Sequence, residues 1–450
     1  MNILVINGSP KGNYSITLQT VNYLMRMYPK HHFEILHAGQ RIRALETDFS
    51  QAADSLKNAE LLLFAYPVYT FIAPYQLHRF IELMKKNQVD VSGKFATQIT
   101  TSKHFYDVTA HQYILENCQD MGLKFIRGLS ADMDDLLTAK GQKQARDFWE
   151  YLNWSMEQDY YEPFRYHPMA LSHIPITVPE SVSKTQDGDI VIVTDCPPEN
   201  IRLKEMIARF QAVLSYPSRI VNISDYPFAG GCLGCFNCAT DGTCIYKDDF
   251  DTFLRENIQK ASAIIYAFTV TDHSMGTRFK MYDDRQFCNG HRTVTVGMPV
   301  GYLACGPYSV ENNLQTILEA RAQVGENIFT GVASDETDPD SSIDRLATTL
   351  EYALEHKNVG PQNFYGIGGM KIFRDLIYQM QGMMKADHRF YKANGHYDFP
   401  QKNKGLIFKM YLVGALISSP KIKAKMGNKM NEGMLAPYQK LLDSIDKNNQ

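Results

Sequence analysis

Four of the eight cysteines lie close together, in the stretch GGCLGCFNCATDGTC that begins at Gly230. Cys232, Cys235, Cys238 and Cys244 follow the spacing C-x2-C-x2-C-x5-C. Two-residue spacings let successive thiolates converge on one centre, and the intervening glycines permit the tight turns that this requires. A four-thiolate zinc site more often uses two CxxC pairs separated by a long loop. The spacing therefore favours a cubane 4Fe-4S cluster, with zinc, or redox-active or structural thiols, as the alternatives.

A second candidate site is the loop NGSPKGNYSIT at residues 7–17, directly after the first predicted strand. A loop that leaves the carboxyl end of a parallel strand and enters a helix presents backbone N–H groups to an anion. The loop adds hydroxyls, an amide and a positive charge, carried by Ser9, Ser15, Thr17, Asn13 and Lys11. It matches neither GxGxxG nor GxxxxGK[ST], which disfavours a dinucleotide fold or a P-loop NTPase. The loop suits a terminal phosphate.

The elements that position this loop follow an alternating pattern of buried apolar runs and helix-length segments. Such alternation is typical of a parallel sheet covered by helices on both faces. The predicted strands of the first 150 residues are 3–6, 33–36, 60–65, 95–101 and 124–128, with helices that include 16–27 and 73–86. We therefore expect a doubly wound α/β domain.

The same pattern starts again after residues 163–188, where the apolar periodicity fails as expected of a linker. The predicted strands of this second half are 189–195, 218–223, 263–270, 293–298 and 326–332, with helices at 201–214, 248–259 and 310–324. The segment DSLKNAELLLFAYPVYT of the first half is similar to ENIQKASAIIYAFTVTD of the second. We predict an internal duplication.

Composition and charge exclude several classes of protein. The formal net charge of the 450 residues is -3, which does not predict a nucleic-acid binder. The chain begins with the strand-like MNILVING instead of a signal peptide, and its longest apolar run, 406–418, is too short to span a bilayer. We expect a cytoplasmic protein, in which clustered cysteines more often hold a metal or act in redox chemistry than form disulfides.

The segment after Val359 is basic, with fourteen Lys and Arg against six Asp and Glu. One interpretation is a helical appendage on the α/β domains with a solvated basic face. The alternative is a peripheral contact with an anionic membrane surface or an acidic protein.

The first half resembles the flavodoxin-like NAD(P)H-dependent FMN reductases. The similarity is carried by Gly8, Ser9, Pro10, Ser15 and Thr17, and by the segment AYPVYTFIAPYQLHRFIE at residues 65–82. The resemblance implies that Pro67, Val68, Tyr69 and Thr70 edge the isoalloxazine ring of FMN, and that Thr101, Ser102 and Lys103 face its other side. The segment TTSKHFYD departs from the glycines that many family members carry at this last loop.

The cysteine stretch and the KDDF that follows it at residues 247–250 resemble the iron-sulfur flavoproteins, a branch of the same family that holds a 4Fe-4S cluster beside FMN. In that branch, dimers bring the cluster and the flavin of neighbouring subunits together. Related reductases resemble this region without carrying a cluster. With the repeated pattern of strands and helices, the resemblance predicts two tandem flavodoxin-like domains at 1–160 and 189–358; the loss of periodicity predicts a linker at 161–188, and the charge predicts a basic helical region at 359–450.

The loop of the second half that corresponds to the phosphate loop reads VIVTDCPPENIRL. Asp195 and Glu199 would repel a phosphate, and Pro197 and Pro198 lack N–H donors. We expect one FMN in the first half and one cluster in the second, brought together as in a dimer.

The predicted function is a flavin-dependent oxidoreductase with NAD(P)H or a ferredoxin-type donor and a small-molecule or protein acceptor. The alternatives are a non-catalytic electron carrier or redox sensor, and a flavin reductase whose cysteines bind zinc or no metal. His104, Tyr69 and Lys103 are candidates for proton delivery, and a homodimer is a further expectation.

Overall fold

The computed structural model describes residues 1–164 and 174–418, with several positions between 435 and 447. Parts of the predicted linker (165–173) and of the basic region (419–434) lie outside the described residues. The contacts divide the chain into two compact units, Met1–Ala393 and Asn394–Gln450. Both predicted α/β domains lie in the first unit.

The first half of that unit is a parallel sheet with helices on both faces. Its strands are β1 Asn2–Asn7, β2 His32–Leu36, β3 Leu61–Pro67, β4 Phe95–Ser102, β5 Lys124–Phe125 and β6 Leu129–Asp132. Its helices are α1 Ile16–Met27, α2 Ala38–Thr47, α3 Ser50–Asn58, α4 Tyr75–Lys86, α5 Asp107–Asp120 and α6 Ala139–Glu157. The strand order is β2-β1-β3-β4-β5, and β6 also pairs with β4. This is the order of flavodoxin-like folds.

The second half repeats this architecture. Its strands are β7 Ile190–Thr194, β8 Ser218–Asn222, β9 Ala263–Thr269, β10 Pro299–Cys305 and β11 Ile328–Ser334. Its helices are α7 Ile201–Val213, α8 Asn237–Asp241, α9 Phe250–Asn257, α10 Gly276–Arg285, α11 Asn312–Val324 and α12 Pro339–His356. The strand order, β8-β7-β9-β10-β11, is that of the first sheet. The predicted fold, two flavodoxin-like parallel sheets followed by helices, is confirmed.

The strand predicted at 293–298 is wrong, because that segment forms a turn before β10. Gly297 has a φ of +72° there, which ends the extended backbone. Strand β10 begins two residues later and is buried along its whole length, between β9 and β11. A strand covered on both faces shows a continuous apolar run, whereas the alternation in TVTVG is that of a half-exposed strand.

The two halves pack on each other through equivalent elements. Helices α4 and α10, which follow the third strand of each sheet, are in contact, and so are α5 and α11, which follow the fourth. The loops after the third strands also share one conformation. Thr70 and Phe71 have φ of 44° and 73°, and Asp272 and His273 have φ of 50° and 59°. The halves therefore pack like the two subunits of a symmetric dimer.

A buried ion pair of the second half fixes the loop that follows β3. Lys280 and Asp284, one turn apart on α10, are 2.7 Å apart and have side-chain exposures of 3% and 0%. Lys280 Nζ donates to the Tyr69 carbonyl at 2.6 Å. Asp284 accepts from Thr70 Oγ1 at 3.0 Å and from the Tyr75 N–H at 2.8 Å. The pair thus joins the two halves beside the predicted flavin site.

Removing the positive partner of this pair should destabilise the protein strongly. Lys280→Met leaves the Asp284 carboxylate buried without its counter-ion, which typically costs about 3–5 kcal/mol. Lys260→Met is the matched control, because Lys260 and Glu256 form a pair of the same i,i+4 spacing that is exposed and worth at most about 0.5 kcal/mol. Urea unfolding of the full chain measures both variants. Equal losses in the two variants would contradict this account of the interface.

Two further helices complete the first unit. Helix α13, Phe364–Gln379, packs against α11, and α14, Lys385–Ala393, packs against α8. The predicted helical appendage thus begins as part of the body that holds both sheets.

The second unit contains helix α15, Lys404–Ile417, which is capped by Asn403 at its amino end. Apolar side chains on every side of this helix are exposed, namely Leu406, Ile407, Phe408, Met410, Tyr411, Leu412, Val413 and Leu416. None of the described helices is both long and apolar enough to cross a membrane.

Candidate functional site

One cavity of about 220 Å³ brings the two predicted sites together. It lies at the carboxyl ends of β1, β3 and β4 and is lined by residues of both halves. From the first half come Ser9, Lys11, Ser15, Thr17, Pro67, Val68, Tyr69, Thr70, Thr101, Ser102 and Lys103. From the second half come Cys232, Cys235, Cys238 and Cys244. Asn13 is exposed and does not line the cavity.

The loop after β1 is shaped by its own side chains. The Asn7 amide donates to the Gly12 carbonyl at 3.0 Å, and Asn7 Oδ1 accepts from the Ser9 N–H at 3.2 Å. Ser15 caps α1 by accepting from the Leu18 N–H at 3.3 Å. The N–H groups of Ile16 and Thr17 lie in the first turn of α1, where no intrahelical acceptor exists. This arrangement suits an anion such as a phosphate.

The loops after β3 and β4 offer a different kind of group. Thr101 Oγ1 is buried and has no hydrogen-bond partner among the residues that the structure describes, which costs free energy unless a bound group satisfies it. Lys103 donates to Asp132 at 2.7 Å. Burial opposes its charge, but the bond to Asp132 outweighs this and raises the pKa of the Lys103 ammonium. These loops place hydroxyl groups beside the apolar Pro67 and Val68. Such a set of groups fits the edge of a flat heterocycle such as the flavin ring.

The cysteine loop is held by an ion pair at its base. Asp248, from the KDDF segment, accepts from both terminal nitrogens of Arg285 at 2.8 and 2.7 Å. The same carboxylate accepts from the Ala229 N–H at 2.8 Å, and Arg285 donates to the Gly230 carbonyl at 2.9 Å. Both side chains are almost fully buried. The two residues therefore tie the start of the cysteine loop to its end and to α10.

The four thiols line one cavity but do not converge on a single point. Among the described residues, no three of the four sulfur atoms lie within 4.8 Å of one another. A tetrahedral zinc with bonds of about 2.3 Å would bring its sulfur ligands to roughly 3.8 Å. In a cubane cluster each thiolate binds a separate iron, so the sulfur atoms stand farther apart. The sulfur atoms therefore do not form the convergent set of ligands that a single zinc ion needs.

Burial affects two of these thiols directly. It raises the pKa of Cys238 to about 12 and that of Cys232 still further. Cys232 Sγ accepts from the Gly234 N–H at 3.4 Å. Thiols that stay protonated are poor nucleophiles, and a metal centre would bind Cys232 and Cys238 only as thiolates, with release of their protons.

The cysteine loop packs directly on the predicted flavin loops. Gly234 has a φ of +61°, and a Cβ atom there would overlap the Tyr69 hydroxyl. Gln76 donates to the Cys232 carbonyl at 3.1 Å. The Lys11 ammonium lies 5.5 Å from the centre of the Phe236 ring. Glycine is therefore required at position 234 for the two halves to approach this closely.

The equivalent edge of the second sheet is closed by its own side chains. Asp335 accepts from the Gly306 N–H at 2.8 Å and from Arg202 Nε at 2.9 Å. Asn200 donates to Thr269 Oγ1 at 2.8 Å. Burial raises the pKa of Asp195 to about 7, so this carboxyl carries only part of its charge at neutral pH. The pairing of polar groups, more than repulsion by Asp195, distinguishes this edge from that of the first sheet.

Several residues that line the cavity were not predicted from the sequence. They are Phe105 of the first half, Phe287 and His291 of the second, and Ile372, Phe373 and Leu376 of α13. Cys288 also lines the cavity and is buried, and burial raises its pKa to about 12. In the sequence, Asn289 and Gly290 directly after Cys288 indicate a turn but not its position at the site.

Residues 1–103 match the sequence model of a family described as having a flavodoxin-like fold. No curated protein matches the chain. The chain is similar to an NADH:FMN oxidoreductase in its apo form, with 19% identity, 34% of this chain and 89% of that chain covered, and a TM-score of 0.30. It is also similar to an FMN-dependent NADH-azoreductase from Bacillus anthracis in complex with FMN, with 11% identity, coverage of 35% and 99%, and a TM-score of 0.27.

General stress protein 14 from Treponema denticola, in complex with FMN, shows 12% identity, coverage of 34% and 99%, and a TM-score of 0.29. Each of these three proteins is almost entirely covered by the match, whereas only about a third of this chain takes part in it.

Proposed function

We propose that this chain is an FMN-dependent oxidoreductase that couples FMN in its first half to a 4Fe-4S cluster in its second half. One observation carries the proposal. The phosphate loop, the loops after β3 and β4 and all four clustered cysteines line a single cavity, although the cysteines follow Thr17 by more than two hundred residues.

The FMN phosphate would be held by Ser9, Ser15 and Thr17 and by the first turn of α1. The flavin ring would lie between the loop from Pro67 to Thr70 and the loop from Thr101 to Lys103. FMN, when bound, supplies two-electron chemistry with a nicotinamide and one-electron chemistry with a metal centre. The chain itself would provide the hydrogen-bond donors to the phosphate and the apolar side chains at the edge of the ring. Helix α13 would exclude water.

The cluster would be held by Cys232, Cys235, Cys238 and Cys244. A 4Fe-4S cluster exchanges one electron at a time, at a potential set by its surroundings. The Arg285–Asp248 pair holds the cysteine loop in place, and Gly234 lets that loop contact Tyr69. These residues would hold the two predicted centres close together.

The edge of the second sheet supports the proposal of a single FMN per chain. The polar groups at its corresponding edge are already paired through Asp335, Arg202 and Asn200. The electron donor would be NAD(P)H or a ferredoxin-type protein, and the acceptor a small molecule or a protein. The proposed assembly is a homodimer in which each chain holds both centres.

Steady-state turnover separates this enzyme from an electron carrier or redox sensor. The anaerobically purified chain is mixed with NADH, NADPH or reduced ferredoxin and an excess of a small acceptor. We expect many turnovers per chain with at least one donor. Electron uptake that stops once the bound cofactors are reduced would support the electron carrier and overturn the oxidoreductase.

We further propose that α15 lies on an anionic membrane surface. Its apolar side chains are exposed on every side, and a helix that is apolar all round favours an apolar surrounding, such as a bilayer, over the polar surface of an acidic protein. The lysines at 421, 423, 425 and 429 follow it in sequence and add attraction to anionic lipids.

Leu412→Glu should weaken binding to vesicles of phosphatidylcholine with phosphatidylserine by about tenfold, because a charge replaces an inserted apolar group. Vesicle co-sedimentation of the full chain measures this. Ile201→Glu, at an exposed isoleucine of α7, is the matched control and should bind as the wild type does. Wild-type protein that does not bind anionic vesicles would overturn the membrane contact.

A further inference from the structure

A buried histidine lies between carboxylates where the two halves meet, at the contact of α5 with α11. Glu116 belongs to α5 of the first half. His273 lies in the loop after β9 of the second half, and Glu311 directly precedes α11. His273 and Glu311 are only 5% and 3% exposed, and none of the three residues lines the cavity described above. We call Glu116, His273 and Glu311 the histidine–carboxylate cluster.

The potential ligand atoms of this cluster converge on one point. An oxygen of Glu116, a ring nitrogen of His273 and an oxygen of Glu311 all lie within 4.8 Å of one another. His273 Nδ1 is 2.9 Å from Glu311 Oε2. A tetrahedral zinc ion with bonds of about 2.0 Å to nitrogen and oxygen places its ligand atoms roughly 3.3 Å apart. Small movements of these side chains would therefore bring all three to a single ion.

Asp120 supplies the outer contact that a metal-binding histidine needs. Its Oδ2 lies 3.1 Å from His273 Nε2, and Lys85 holds the same carboxylate at 2.8 Å. Histidines that bind metals usually donate the proton on their other nitrogen to a carboxylate, which fixes the tautomer. With that proton on Nε2, the Nδ1 lone pair of His273 lies on the side of Glu311.

The third member of the cluster has an unused oxygen. Glu116 Oε1 accepts from the Gln112 amide at 2.8 Å. Glu116 Oε2 is buried and has no hydrogen-bond partner among the residues that the structure describes. A buried acceptor without a partner costs free energy. A cation at this point would satisfy the oxygen.

The charges around the cluster also favour a cation. The two carboxylates of the cluster lie with those of Asp120 and Asp272, which gives four negative charges. Lys85 and a protonated His273 would supply two positive charges. Negative charge that is removed from water without compensation is costly. A divalent cation would offset much of the excess.

The fold itself does not require this set of residues. Phe71 is the residue equivalent to His273 in the loop after β3, which has the same conformation. Phe71 is 6% exposed and packs on the rings of Phe105 and Tyr106 at 5.1 and 4.6 Å. The same loop is therefore buried in the first half by apolar contacts alone.

We propose that Glu116, His273 and Glu311 bind a divalent transition-metal ion, best matched by zinc, that joins the two halves of the chain. One imidazole and two carboxylates are ligands that zinc accepts, and three ligands leave a position for water. Asp120 is a positioning residue that orients His273. The inference goes beyond the function proposed above and does not depend on FMN or on the cysteines.

Glu116→Gln tests the site in the full-length holoprotein. The protein is dialysed against a series of buffered zinc concentrations, and bound zinc, iron and flavin are quantified. We expect the variant to lose one zinc ion per chain, with an affinity about 100-fold or more below that of the wild type, because even changes in the outer contacts of a metal site cost about 10–100-fold. Iron and flavin should not change.

Glu351→Gln is the matched control, at a half-buried glutamate of α12 that accepts from the Ser215 N–H at 2.6 Å. It should bind zinc as the wild type does. Equal zinc binding by Glu116→Gln and the wild type would overturn the proposal. So would zinc that is lost in Cys238→Ser but retained in Glu116→Gln, since the ion would then belong to the cysteines.

X-ray absorption at the zinc edge keeps the proposal falsifiable if the variant does not fold. The sample is the wild-type holoprotein loaded with one zinc ion per chain. We expect only nitrogen and oxygen ligands, at about 2.0–2.2 Å and with the signature of one imidazole. Sulfur ligands at about 2.3 Å, or an ion without an imidazole, would overturn the proposed site.

Discussion

Cys238→Ser is expected to remove most of the iron and acid-labile sulfide from the protein while leaving the flavin bound. A cubane cluster needs its thiolate ligands, and the hydroxyl of serine is a much poorer ligand for it. We expect iron to fall from about four atoms per chain to below one. The flavin should stay, because the residues proposed to hold it belong to the first half of the chain.

Cys196→Ser is the matched control for this experiment. Cys196 is a buried cysteine of the same half, where its thiol contacts the Pro197 and Asn200 carbonyls. It does not line the cavity, so its variant should keep both iron and flavin. Iron that is unchanged in Cys238→Ser, or zinc that is lost in its place, would refute the cluster.

The double variant Ser9→Ala, Thr17→Val should lose FMN and keep iron. Each substitution removes a hydroxyl proposed to donate to the phosphate, and a hydrogen bond to a charged group is worth about 1.5–3 kcal/mol. Together they should raise the dissociation constant for FMN by about 100-fold or more. Flavin fluorescence measures this during titration of the flavin-free protein.

Thr20→Val controls for the effect of the valine. Thr20 is buried on the same helix one turn further on and does not line the cavity. Its variant should bind FMN as the wild type does. Wild-type affinity in the double variant would mean that the flavin phosphate binds elsewhere in the chain.

Much of the fold could be predicted because local pattern determines it. The strands β1 to β4 and β7 to β9 are short apolar runs bounded by turn residues, and each was predicted within two residues of its observed bounds. Strand β10 was missed because TVTVG imitates a half-exposed strand, whereas PVGYLAC is covered on both sides by tertiary packing. A single sequence does not show which of two neighbouring apolar runs will be central.

Part of the candidate site could likewise be predicted from the sequence, and part could not. The phosphate loop and the cysteine stretch could be found, because their chemistry depends on spacing within a few residues. The pair formed by His291, which lines the cavity, and Asp387, whose Oδ2 lies 3.1 Å from His291 Nδ1, could not be found. The two residues are 96 positions apart, and neither belongs to a recognisable motif. Their pairing depends on the packing of α14 against the turn at Gly290, in a region whose composition indicated an appendage.

The stoichiometry of cofactors in the anaerobically purified chain tests the central claim most directly. A visible spectrum is combined with quantitation of flavin, iron, acid-labile sulfide and zinc in one sample. The proposed arrangement predicts one FMN, about four iron atoms and about four sulfide ions per chain. Flavin bands without iron, or zinc in place of iron, would contradict it.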